Sequence, residues 1–371
     1  MSFRIDAQIS RIDMCLYFSQ GALQMKYRVL TALAVLGAPA AALMATPAIA
    51  APNEVNVYSY RQPFLVKPLF DAFTKETGVK VNVVFARKGL IKRLQAEGSN
   101  SPADLVFTVD IGRLAAVVKA GLAQPVTTPA LTAAVPAALR DPGGLWYGLT
   151  LRARLIYASK ERVKKGEISS YEQLADAKWR GRICTRKGDH AYNIALLAAY
   201  IGHYGEAKAE AWLRGVKTNL ARKPQGNDRA QVKAILEGVC DIAIGNHYYM
   251  ALMLNNKKQK PWAEAANIVF PTLAGKGTHM NVSGVMMTRN APNRANAVKL
   301  IEFLTGKTAQ GIYANANNEY PIDPSVKASP LLESWGAFSR DSLPLDTIAK
   351  HRSTALKIVN KVGYNEGPVT N

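Results

Sequence analysis

The segment GNHYYMALML, residues 245–254, sets Tyr248 and Tyr249 side by side between a strand-like end and a helix-like apolar run. In an extended strand, adjacent side chains point to opposite faces. In a turn that enters a helix, both phenol oxygens can reach one centre. Tyr192, in KGDHAYNIALL, occupies a second loop-to-helix junction after a strand-like stretch. In a parallel α/β sheet the two junctions fall at the same edge, so Tyr192, Tyr248 and Tyr249 can converge. A free phenol has a pKa of about 10. It ionises at neutral pH only beside a strong Lewis acid, and a hard trivalent cation is suited to that role. Three phenolates neutralise one Fe³⁺, whereas softer metals favour Cys or His. Packing at the start of a buried helix is the competing reading, and the residues alone leave both open. Arg61, in NVYSYRQPF after the first strand-like stretch, can face the same cleft and take an anion in forked geometry, or lie on the surface.

Other chemistry is poorly provided for. There is no G-x-S-x-G, H-E-x-x-H, P-loop or dinucleotide fingerprint. The five histidines, at 190, 203, 247, 279 and 351, lack zinc spacing. An enzyme would need a paired acid and base, and Asp110 is the one carboxylate placed for it, without an evident partner. No enzymatic function is expected.

The elements that must hold the tyrosines alternate strand and helix. VNVYSY (55–60), VKVNVVFA (79–86) and ADLVFTV (103–109) read as strands, each followed by a helical pattern at 64–78, 89–98 and 111–121. Repeated β-α-β units predict a parallel sheet with helices on both faces. LWYGLTLRARLIYAS (145–159) is long, β-rich and interrupted by Arg152 and Arg154, as a strand passing from one domain to another would be. A second α/β set follows, with strands at 182–185 and 241–246 and helices at 191–205, 209–220 and 229–238. NVSGVMMTR (281–289) reads as a strand returning to the first domain, and the tail carries a helical pattern over 345–363. The expected fold class is α/β, with two lobes joined by crossing strands. Lobe one is assigned to 51–149 and about 277–320 and lobe two to about 150–276, with 321–371 a helical segment packing on the lobes. Ligands of such folds bind in the crevice, and lobe closure is the functional motion.

MKYRVLTALAVLGAPAAALMATPAIA, starting at Met25, has a basic beginning, an apolar stretch from Val29 to Leu43 and an Ala48-Ile49-Ala50 cleavage pattern. It reads as a secretory signal peptide removed after Ala50, with residues 1–24 an upstream extension. The full chain carries a formal charge of +20; residues 1–50 hold four basic and two acidic residues, so the mature chain keeps +18. That charge attracts anions without choosing among them, and export argues against nucleic acid. Three cysteines are present, of which Cys15 leaves with the leader. Cys184 and Cys240 remain, an even number in an oxidising compartment, and a single structural disulfide is the favoured reading over free buried thiols.

The chain resembles the periplasmic ferric-ion-binding proteins of ABC uptake systems, transferrin-like members of the type II periplasmic binding proteins. The resemblance covers most of 53–330. It is carried by VNVYSYRQPF, SPADLVFTVDIGRL, LRARLIY, YEQLADAKWRGRIC, NEYPIDP and the long run from AYNIALLAAYIGHYG to NHYYMALML. The resemblance implies that Tyr192, Tyr248 and Tyr249 ligate Fe³⁺, with an anion such as carbonate completing the shell against Arg61, or against Arg152 as a second choice. It also implies a periplasmic receptor, expected to be a monomer, that delivers iron to an inner-membrane ABC permease. One departure stands out: many members carry His-Tyr after the first-strand arginine, where this chain has Gln62-Pro63. The alternative within the same fold is a receptor for an anionic or organic solute.

Overall fold

The computed structural model describes residues 53–368, which belong to one contact unit. The expected signal peptide, with its start at Met25 and cleavage after Ala50, lies outside the described residues. Among the described residues no helix is long and apolar enough to cross a membrane.

Among the described residues ten strands form the framework: β1 Glu54–Ser59, β2 Lys80–Phe85, β3 Leu105–Thr108, β4 Ala123–Gln124, β5 Tyr147–Ser159, β6 Ile183–Cys184, β7 Ile242–Asn246, β8 Ala266–Val269, β9 Met280–Thr288 and β10 Tyr320–Pro321. The main order is β2-β1-β3-β9-β5-β7-β6. β1 pairs in parallel with β2 and β3, and β6 with β7, as β-α-β units require. β9 is antiparallel to both β3 and β5, and β5 is antiparallel to β7. The sheet is therefore mixed where the alternation of elements predicts a parallel one. The two long strands that join its halves run against their neighbours, a direction that local periodicity does not encode.

All of β5 is buried, and it exchanges partners midway. Residues from Tyr147 to Ala153 lie beside β9, whereas Arg154 to Ala158 lie beside β7 and Ile156 to Ser159 also beside β8. The exchange falls between Arg152 and Arg154, the two charges that interrupt the apolar run. β9 leads back to β3, as its sequence position suggests.

Helices cover the strands. Pro63–Thr77 starts with Pro63 in its first turn, where the missing N–H costs nothing, and ends at Gly78 in the left-handed conformation. Gln62-Pro63 is thus the entry to this helix. Ala191–Tyr204 is buried at every residue from Ile194 to Ile201, because the Leu345–Val362 helix lies against it as well. The apolar patterns at 206–218, 228–236, 294–305 and 307–317 also form helices. Pro129–Ala134, Lys260–Glu264 and Pro330–Glu333 are too short to show a helical period in sequence.

Cys184 in β6 and Cys240 before β7 form the disulfide, with their Cα atoms 5.8 Å apart. It pins the two parallel strands from which both tyrosine-bearing helices emerge.

Candidate functional site

β6 and β7 are parallel neighbours, so the helices that follow them begin at one end of the sheet. Tyr192 is the second residue of the Ala191–Tyr204 helix. His190 caps that helix, its Nδ1 accepting from the Tyr192 amide at 3.2 Å, and its ring meets the Tyr192 ring edge-on. Tyr248 and Tyr249 open the Tyr248–Leu254 helix after β7. Gly245 in β7 leaves room for the Tyr157 ring, since a Cβ there would lie 2.2 Å from it. Tyr157 in turn donates to the Asn246 carbonyl at 2.7 Å, fixing the turn that aims the tandem tyrosines.

The phenol oxygens of Tyr192 and Tyr248 are 3.2 Å apart, and the rings of Tyr248 and Tyr249 are 4.3 Å apart. All three side chains are half-buried. Burial raises the Tyr248 pKa well above the ordinary phenol value, and the neighbouring Tyr192 and Tyr249 raise it further. Tyr249 is pushed up to about 12 by burial, then by Tyr192 and Asp228. Tyr248 and Tyr249 are therefore neutral without a cation, and a hard cation beside them would reverse that preference. Among the described residues there is no group of three or more His, Cys, Asp or Glu that could hold a metal ion.

Beneath the tyrosines lies a charge cluster that the sequence reading missed. Asp228, fully buried, accepts from Arg154 Nη1 at 2.6 Å, from Arg186 Nη1 at 3.1 Å and from the Asn246 amide at 3.0 Å. Arg154 Nη2 donates to Asn193 Oδ1 at 2.7 Å. The Arg154 and Arg186 guanidiniums sit 5.8 and 5.4 Å from the centre of the Tyr192 ring. The signal for Arg154 was present, because a charge within a buried apolar strand needs a partner. Nothing local marked Asp228 as that partner.

Arg61 is almost fully buried, and its charge reaches Tyr248. Its two terminal nitrogens are committed within the protein, to Glu319 at 3.1 Å and to Ser283 Oγ, and its Nε has no partner. Burial alone would raise the Glu319 pKa. Arg61 and Arg152, with hydrogen bonds from Arg61 and Thr150, outweigh it and hold the carboxyl below its usual value. Arg152 donates through Nη2 to the Val109 carbonyl, its Nε is likewise unpartnered, and its charge acts on Tyr248. Asp110 caps the Ile111–Lys119 helix by accepting from the Arg113 amide at 2.9 Å.

His247 is fully buried, and both its ring nitrogens are engaged by the backbone. Its Nδ1 accepts from the Ala153 amide at 3.1 Å, and its Nε2 lies 2.9 Å from the Asn318 carbonyl, which makes Nε2 the protonated nitrogen. Burial lowers its pKa to about 4, so the ring is neutral.

Comparison with known proteins places these features in context. Residues 31–311 match the family described as bacterial extracellular solute-binding protein. The iron uptake protein A1 of Synechocystis is 42% identical over 315 residues, covering 84% of this chain and 88% of the relative. The apo ferric ion-binding protein A of Pasteurella haemolytica is 51% identical, with a TM-score of 0.80, covering 84% of this chain and 98% of that one. The Trichodesmium protein solved with iron and citrate ligands is 40% identical, with the same TM-score of 0.80, covering 84% and 99%. The fold is the two-lobe type II periplasmic binding protein fold of these ferric-binding structures.

Proposed function

The chain belongs to the bacterial extracellular solute-binding protein family, and we propose that within it this protein is a periplasmic receptor that captures Fe³⁺ between two lobes. The observation that carries this reading is the convergence of Tyr192, Tyr248 and Tyr249 from two helix starts at one sheet end. Three phenolates supply hard oxygen and three negative charges, the donor set a ferric ion favours. The names of its relatives, an iron uptake protein and ferric ion-binding proteins, agree with that chemistry.

In this reading Fe³⁺ is cargo, and binding it displaces three phenol protons. Arg61 and Arg152 are the contacts for a completing anion such as carbonate, each through an unpartnered Nε–H. Gln62, at the helix entry, supplies neither imidazole nor phenolate, so exogenous ligands complete the shell on that side. Lobe one comprises 51–149 and about 277–320, lobe two about 150–276, and 321–371 packs on the lobes. The receptor works as a monomer without catalysis and delivers its iron to an inner-membrane ABC permease.

Titration of the metal-free protein with ferric salt at neutral pH tests the proposal. A visible phenolate-to-iron charge-transfer band that saturates at one iron per chain is expected. A protein that stays colourless while binding an organic or phosphorus-containing anion would replace this reading with that of an anion receptor.

A further inference from the structure

The Leu345–Val362 helix packs chiefly on the Ala191–Tyr204 helix, but it also meets the Ile111–Lys119 helix, which stands on β3 and β9 in the other half of the sheet. Its C-terminal end is fastened to the Tyr192 side. Buried Tyr364 shares a 3.0 Å hydrogen bond with Thr185 Oγ1. Asn365 Oδ1 accepts from the Gly188 amide at 2.7 Å, and Lys217 Nζ donates to the Val362 carbonyl at 3.0 Å.

From that anchor one cation reaches both halves. Arg352 Nη1 donates to the carbonyl of Ala191, the residue before Tyr192, at 3.3 Å. Its Nη2 lies 3.4 Å from Asp110 Oδ2, a fully buried oxygen with no hydrogen-bond partner. Gly112 makes the passage: a Cβ there would lie 1.9 Å from Arg352 Nε and 2.2 Å from Cζ. Glycine is a poor helix residue, so its place in the first turn of the Ile111–Lys119 helix needs a reason, and the guanidinium supplies one.

We propose that Arg352 is an interlobe latch and a positioning residue for Tyr192. It ties Asp110 of lobe one to the Ala191 carbonyl of lobe two and slows the opening that releases iron. The latch rests on the receptor reading for its effect on iron, but not for its effect on lobe separation. The planar fork of arginine can address two acceptors at once, which a lysine ammonium does with less geometric control. The Arg352 side chain is 20% exposed. A pair screened to that degree is weak enough to break when the lobes must part.

The test compares Arg352→Ala, Arg352→Lys and Gly112→Ala with wild type, each checked for folding by circular dichroism. Iron-loaded protein is mixed with excess chelator and loss of the visible band is timed, and small-angle scattering gives the radius of gyration of each metal-free protein. Arg352→Ala and Gly112→Ala are expected to lose iron about fivefold faster, with Arg352→Lys between them and wild type. Metal-free Arg352→Ala is expected to have a larger radius. Gly112→Ala keeps the arginine but fills its passage; if it fails to fold, the two Arg352 variants decide. Unchanged release and unchanged radius in folded Arg352→Ala overturn the latch. If wild type shows no ferric band, the receptor reading fails, and the scattering comparison alone decides: a larger radius supports the latch and an unchanged one overturns it.

Discussion

The phenol oxygens of Tyr192 and Tyr248 stand 3.2 Å apart although 56 residues separate them in sequence. Each comes from the first turn of a helix that follows one of two parallel strands, and Tyr249 lies against Tyr248. Phenylalanine at any of these positions keeps the packing and removes one oxygen and, in the proposed ferric site, one charge. Tyr192→Phe, Tyr248→Phe and Tyr249→Phe are each expected to weaken ferric binding on the order of 100-fold or more, beyond the usual effect of altering a ligand's supporting partner. The charge-transfer band should weaken in each, and the Tyr248→Phe/Tyr249→Phe pair should lose it. Three single variants with wild-type band and affinity would sink the phenolate centre.

Asp228 holds two cations that both approach the Tyr192 ring. Asp228→Asn leaves Arg154 buried without its counter-charge. A loss of about 3–5 kcal/mol is expected from urea unfolding. Ferric affinity should fall as well, since Tyr192 loses the support that orients it. A stability change below about 1 kcal/mol, the level of an exposed pair, would show that the cluster is not an interdependent unit.

The convergence of the three tyrosines was legible in sequence because its logic is local: a strand, a short turn and a helix start, repeated once. The expected pairing of Cys184 with Cys240 is present as well, joining the end of β6 to the second residue before β7, the two strands that carry the junctions. Long-range pairing was less legible. Nothing in NEYPIDP marks Glu319 as the partner of Arg61, which lies 258 residues away, because an ion pair leaves no period in the chain. The antiparallel run of β9 against β3 was hidden similarly, since strand composition does not carry direction.

The disulfide closes a loop of 56 residues that contains the Ala191–Tyr204 helix and stops short of the tandem tyrosines. Chain-entropy arguments give about 4 kcal/mol for a loop of that size. Cys184→Ser/Cys240→Ser should therefore unfold at lower urea, with Tm reduced by about 6 °C. Ferric binding should persist, because β6 and β7 still pair through their backbones. Loss of the band in a folded double variant would show instead that the disulfide itself holds the junctions in register.

Glu319 gives the pH dependence of this fold a specific source. Its carboxyl is held below its usual value chiefly because Arg61 and Arg152 outweigh the cost of burial. A carboxyl with a depressed folded pKa adds stability above its unfolded pKa of about 4.3, and that contribution fades as pH falls through the folded value. Glu319→Gln cannot make the ionic contact at any pH. The stability gap between wild type and variant should thus be widest at neutral pH, at about 3–5 kcal/mol, and narrow steadily once pH falls below about 4.3. Urea midpoints measured from neutral pH down to the acid limit of folding read that gap directly. A gap that stays constant through the acid range would mean that Glu319 acts through shape and hydrogen bonding alone, with no contribution from its charge.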